Sequence, residues 1–158
     1  MDWDGWAVFG LLATTALTAV LITAQLAGLT RLDIPLMLGS VVVADPDRAR
    51  VVGFFAHVLN GQAFALGYAA VFAVLDRATW WSGALLGALH GAVALLVIVP
   101  LLPGVHPRMA SERAGLSSGP ALEPPGLLAL NYGRETPVVT MLAHVAYGTA
   151  LGLLLRPS

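Results

Sequence analysis

The chain has no cysteine and no lysine. Without thiols it can build no disulfide, no iron–sulfur cluster and no thiolate zinc site. All eight basic residues are arginine, and at a formal net charge of -1 the bulk electrostatics give no sign of nucleic-acid binding. Charge of either sign is scarce: 11% of the 158 residues are charged, against roughly 25% in an ordinary soluble domain. A soluble fold of this length could not cover its surface with so few charges. Familiar catalytic motifs are missing too: there is no nucleophile elbow, no P-loop and no HExxH zinc motif.

What is present is apolar, at 58% of residues, and gathered into four long runs. The expected fold is an all-α, polytopic transmembrane four-helix bundle in a single membrane domain, 1–158. Its spans fall at about 6–29, 51–75, 80–102 and 137–155, with a long loop at 103–135. At about 1.5 Å rise per residue each run can cross a hydrocarbon core of roughly 30 Å. The opening Met1-Asp2-Trp3-Asp4 is acidic where a secretory signal is basic, so the first run reads as a retained span with Trp3 and Trp6 at the interface. Leu36–Ala44 is too short to span and reads as an interfacial or re-entrant piece. Asp45-Pro46 and Thr136-Pro137 read as helix starts, an N-cap acceptor followed by proline in the first turn. The short turn Asp76-Arg77-Ala78-Thr79 makes spans two and three an antiparallel hairpin. The loop 103–135 is long, rich in Pro and Gly, and reads as a lid or cap.

An even number of spans puts both termini on one side. Loops 30–50 and 103–135 then share the other side and carry Arg31, Arg48, Arg50, Arg108, Arg113 and Arg134, six of the eight arginines. By the positive-inside rule the long loops are expected in the cytoplasm and the termini outside, in a multi-pass protein of the cell inner (plasma) membrane.

The third run carries Gly83, Gly87 and Gly91 at four-residue spacing, which lets helices approach closely in a bilayer. Gly53 and Gly61 flank His57, and Gly148 and Gly152 follow His144, leaving room beside each histidine for a neighbouring helix or a ligand. Polar residues fall on single helix faces: His57, Asn60, Gly61 and Tyr68; Thr140, His144, Tyr147 and Gly148; Thr14, Thr18 and Gln25. Lipid cannot hydrogen-bond them, so each face is expected to turn inward. Ala56-His57-Val58-Leu59-Asn60-Gly61 echoes Ala143-His144-Val145-Ala146-Tyr147-Gly148. Duplication of a two-helix hairpin would produce this, as would chance in a chain built from Ala, Leu, Val and Gly.

Polar groups inside spans are functional candidates by default. His57 and His144 lie roughly 9 and 10 Å in from the same end, by helix rise, with His90 deeper and His106 in the adjoining loop. Imidazole suits Zn, Cu, Fe and Ni, so a transition-metal site from His57, His144 and His106 or Glu112 is one reading. A haem b held axially by His57 and His144, with His90 nearby, is a second. A proton relay is a third. The plain structural reading has each histidine bonded to a backbone carbonyl or to Asn60, Tyr68 or Tyr147. In the long loop, His106, Glu112 and Glu123 are the catalytic candidates for an enzyme acting on an apolar or lipid substrate at the interface. Arg108, Arg113 and Arg134 are the candidates for an anion or lipid headgroup.

The strings Leu102-Pro103-Gly104-Val105-His106-Pro107-Arg108-Met109-Ala110, Leu122-Glu123-Pro124-Pro125-Gly126 and Asn131-Tyr132-Gly133-Arg134-Glu135-Thr136-Pro137 resemble a family of small bacterial integral membrane proteins built on a domain of unknown function. The resemblance runs from Asp33-Ile34-Pro35-Leu36-Met37-Leu38-Gly39 to the fourth span. It implies a four-span fold and no activity. Three classes of function therefore stand at this point. The first is ligand, metal or haem binding inside the bundle, serving redox or transport. The second is a membrane enzyme at the interface. The third is a structural or accessory subunit, as a homo-oligomer or within a larger membrane complex, with the lipid bilayer as the constant partner.

Overall fold

The computed structural model describes residues 5–111 and 122–155; Trp3 lies outside them. Among the described residues there are six α-helices and no strand, with a single isolated bridge between Met109 and Leu122. The helices are α1 (Trp6–Leu26), α2 (Ile34–Gly39), α3 (Pro46–Leu75), α4 (Trp80–Val93), α5 (Val99–Val105) and α6 (Thr136–Leu154). A π-helical turn, Ala94–Ile98, joins α4 to α5, and a 3-10 segment, Leu127–Tyr132, precedes α6. Four stretches are long and apolar enough to cross a membrane: Trp6–Leu26, Pro46–Leu75, Trp80–Val105 and Thr136–Leu154. Their outer faces expose Leu11, Leu12, Phe55, Leu59, Leu85, Leu89 and Leu142. In water such a surface would drive aggregation; in a bilayer it is the solvent-facing side. The protein is an all-α, multi-pass membrane protein.

Local chemistry sets the helix ends; one span boundary and two helix ends differ from the sequence expectation. The second span begins at Pro46 rather than at 51, because the Asp45 carboxylate accepts from the Arg48 N–H at 2.9 Å and Pro46 fills the first turn. The third span does not stop at 102. It runs through Pro100 and Pro103 to Val105. A proline removes a helix donor and crowds the carbonyl one turn back, and the wider π turn just ahead of Pro100 accommodates that without breaking the helix. Thr136 is not a cap. Glu135 holds the N-cap position without a capping bond from its side chain, and the Thr136 hydroxyl instead pairs with that of Thr30 at 2.7 Å. The segment read as interfacial contains α2, started by Asp33, whose carboxylate accepts from the Leu36 N–H.

Glycine decides which helices touch. A Cβ on Gly83 would sit 2.0 Å from the Gly148 carbonyl oxygen, and one on Gly87 would sit 2.3 Å from that of His144. Helices α4 and α6 therefore meet backbone to backbone, and the glycine stripe is filled by a helix. The same device joins α2 to α3: a Cβ on Gly39 would lie 1.8 Å from the Ala49 oxygen, and one on Gly53 would lie 1.7 Å from that of Pro35. Around the bundle, α4 packs on α6, α6 on α1, and α1 on α3. The backbones of α3 and α4, although joined by a short turn, barely approach each other; the two helices meet through side chains, Phe64 and Tyr68 against His90. The central core holds Leu17, Leu21, Phe72, Val139, Tyr147 and Leu151.

A second, smaller core lies at the loop end, where Leu32, Met37, Leu95, Met109, Ala129 and Tyr132 pack together. The two long loops interlock over it. Arg31 donates its backbone N–H to the Tyr132 carbonyl at 2.7 Å, and its guanidinium pairs with Glu123 at 3.0 Å. Arg108 donates to the carbonyls of Ser40 at 2.6 Å and Val41 at 3.0 Å. These contacts make the two loops one cap.

Candidate functional site

Beneath the cap, a cavity of about 200 Å³ lies between the helices. Apolar residues from α1, the cap and the π turn form most of its wall, among them Leu17, Leu21, Met37, Leu95 and Ile98. Its polar features are Thr14, His57, Asn60, His90, Thr140, His144 and Tyr147. The polar faces expected to turn inward on α1, α3 and α6 send Thr14, His57, Asn60, Thr140, His144 and Tyr147 here, and α4 adds His90; Asn60 is also exposed on the outer surface. Tyr68 lies just outside, in the core, and Gln25 bonds instead to the Leu32 carbonyl.

Three of the four histidines reach this cavity. Two of these imidazoles meet directly, His90 with His144, centroids 4.6 Å apart and nearly perpendicular. Phe64 covers the other side of His90 at 4.1 Å, and Tyr68 and Tyr147 complete the aromatic cluster. Depth along the helices had matched His57 to His144. The glycine contact between α4 and α6 is what brings His90 against His144. His57 joins the same cavity but contacts α1, with Nε2 3.1 Å from the Thr18 hydroxyl. His144 Nδ1 donates to the Thr140 carbonyl one turn back at 2.8 Å. Tyr147 crosses from α6 to α3 and donates to the Gly61 carbonyl at 2.6 Å.

His106 is elsewhere. It is buried where α5 ends, with Nε2 donating to the Met37 carbonyl at 2.9 Å and Nδ1 accepting from the Arg108 N–H at 3.2 Å. Nε2 fastens the end of α5 to α2, and Nδ1 holds the turn that follows α5. The grouping of His57, His144 and His106 is therefore not assembled. Among the described residues no three His, Asp or Glu side chains lie together as a metal would require. The cavity is also closer in size to a single ring than to a porphyrin. An engineered protein cavity of about 150 Å³ holds benzene.

The cap residues singled out for chemistry are spent on structure. Glu123 pairs with Arg31, and its carbonyl accepts from the Tyr132 hydroxyl at 2.5 Å. Burial first, and then the Glu123 carboxylate, push the Tyr132 phenol up to about 12, with Arg31 pulling the other way. Arg134 is exposed and pairs with its neighbour Glu135 at 2.7 Å. Glu112 and Arg113 lie outside the described residues.

Three features escaped the sequence reading. The π turn has no sequence signature beyond the proline that follows it, yet Ala94, Leu95 and Ile98 from it line the cavity. Leu128 and Ala129 both adopt left-handed backbone, at φ 55° and 61°. Such conformations cost about 1–2 kcal/mol each. They are held by Asn131, whose amide donates to the Pro124 carbonyl at 2.9 Å and whose N–H donates to that of Pro125 at 3.0 Å. That strained turn sets Ala129 into the cavity roof. Finally, Thr140 Oγ1 is buried beside the histidines without a hydrogen-bond partner. Comparison with protein-family models, with curated proteins and with solved structures finds no match to this chain.

Proposed function

We propose that the protein binds a small, mostly apolar molecule inside the membrane, in the cavity walled by His57, His90 and His144, and takes it from the lipid. One observation carries this reading: an apolar cavity large enough for one ring, ending in histidines that packing alone does not use up. Binding pockets of this kind combine apolar walls with a few convergent polar groups. The seam between α3 and α4 supplies the route. Their backbones barely meet, and the side chains there, Asn60 and Phe64, are exposed on the lipid side while also lining the cavity.

The cap closes the opposite approach, and the arginine distribution supports placing it in the cytoplasm. The absence of cysteine makes that easy to test. A single thiol introduced by Ser111→Cys should react with impermeant maleimide only from the cytoplasmic side, and one at Ala78 only from outside.

The binding reading is tested with 4-fluorotoluene and protein in lipid nanodiscs, followed by fluorine NMR. A bound resonance, distinct from the lipid-dissolved one and lost in Ala94→Phe, is the expected result. A spectrum identical to that of empty nanodiscs would end the proposal.

A further inference from the structure

We infer that the preferred occupant carries a hydrogen-bond donor: a phenol, or a similarly sized apolar molecule with one O–H or N–H, rather than an ether or a hydrocarbon. This rests on the binding reading above and specifies its ligand.

Protons decide which groups at the polar end can still donate. A hydroxyl has one to give. Thr14 gives its proton to the Gly10 carbonyl at 2.7 Å, Thr18 to that of Thr14 at 2.7 Å, and Tyr147 to that of Gly61 at 2.6 Å. Facing His57, the Thr18 oxygen can therefore only accept, so His57 Nε2 carries the hydrogen of that 3.1 Å contact. In a neutral ring the other nitrogen, Nδ1, is then a bare acceptor. The partner of His144 Nδ1 is a carbonyl, which can only accept, so that nitrogen is the protonated one. His144 Nε2 is left as a bare acceptor in turn.

Neither bare nitrogen is satisfied or sealed. Neither has a protein partner, both rings are partly accessible, and the buried side-chain atoms without partners among the described residues are Gln62 Oε1 and Thr140 Oγ1 alone. Both rings line the cavity. Charging them is no escape, because no carboxylate lines the cavity and an unpaired cation among Leu, Ile and Met is costly. The polar end of the cavity therefore presents two imidazole acceptors, His57 Nδ1 and His144 Nε2; the Thr14, Thr18 and Tyr147 hydroxyls have given their protons to carbonyls, and His90 meets the Tyr68 hydroxyl at 3.4 Å through its own Nδ1. Asn60, which makes no hydrogen bond, can donate or accept and so does not discriminate. Thr140 is 5% exposed and its unpartnered hydroxyl is sealed from the cavity, so it does not select the occupant.

The test compares 4-fluorophenol, 4-fluoroanisole and 4-fluorotoluene by fluorine NMR in nanodiscs, each corrected for its own partition into empty nanodiscs. The phenol should bind about tenfold more tightly than the anisole, the equivalent of one net hydrogen bond. In His144→Phe and His57→Phe that preference should shrink. Equal affinity of the three probes would overturn the donor inference while leaving the binding reading intact. No bound resonance for any probe would overturn both. A phenol preference that persists undiminished in both variants, each folded by circular dichroism, would also overturn the assignment. If a variant does not fold, the three-probe comparison on the parent protein still decides.

Discussion

Replacing Gly148 by alanine probes the contact on which the site depends. The added methyl would lie 2.1 Å from the Gly83 carbonyl oxygen and 2.9 Å from the Gly87 Cα. Close carbon–oxygen contacts across helices settle at roughly 3.3–3.6 Å, so α4 and α6 must part by roughly 1 Å. A gap of that size forfeits about a quarter to a half of each dispersion contact along the seam. Overpacking of this kind costs about 1–3 kcal/mol. The upper half of that range is expected here, because both obstructing groups are backbone and cannot rotate away. Gly67 is the control, since a Cβ there meets nothing within 4 Å. Gly67→Ala should be neutral or stabilising by up to about 1 kcal/mol, the helix-propensity gain. Reversible unfolding of both variants in mixed micelles, titrated with a denaturing detergent, measures the difference. If Gly148→Ala is as stable as Gly67→Ala, backbone contact does not hold α4 to α6, and the placement of His90 against His144 falls with it.

Three further outcomes are expected. His106→Ala removes the buried hydrogen bond that fastens α5 to α2 and the local one that holds the following turn, so it should destabilise by about 1–3 kcal/mol and speed hydrogen exchange in the cap, while leaving probe binding measurable; an unchanged cap would show the fastening to be idle. Stability should fall as pH rises from about 10 to 12. The folded Tyr132 phenol titrates near 12, whereas an unfolded tyrosine titrates near about 10. Its contribution is thus fully present below the lower value and is lost through the higher one, and Tyr132→Phe should flatten that part of the profile. Glu123→Gln breaks an ion pair with exposed partners, so it should cost less than about 1 kcal/mol, and less still in high salt; a loss of binding in that variant would return the cap carboxylate to the site.

The residues explain why some expectations held and others did not. Asp45-Pro46 marks a helix start through chemistry confined to one turn, and α3 begins there. Thr136-Pro137 looks the same, but Thr30, more than a hundred positions earlier, takes the threonine hydroxyl and moves the cap to Glu135. His106 looked available for chemistry because its long-range partner, the Met37 carbonyl, comes within reach only when α2 folds against α5. The histidines of the spans were legible as polar residues on inward faces, since that follows from one helix's periodicity. Which ring meets which was not.

The sequence by itself determined that the chain is α-helical, that four stretches suit a bilayer, and that most polar residues of those stretches turn inward. Composition and the 3.6-residue period act within a single helix and need no partner. Only the tertiary structure decided that α4 packs on α6 rather than on its hairpin neighbour α3, that His90 rather than His57 abuts His144, and that a cavity remains beneath the cap. The azimuth of one helix against another is set by where two glycine rows interlock, and that is a property of a pair of helices, carried by neither one alone.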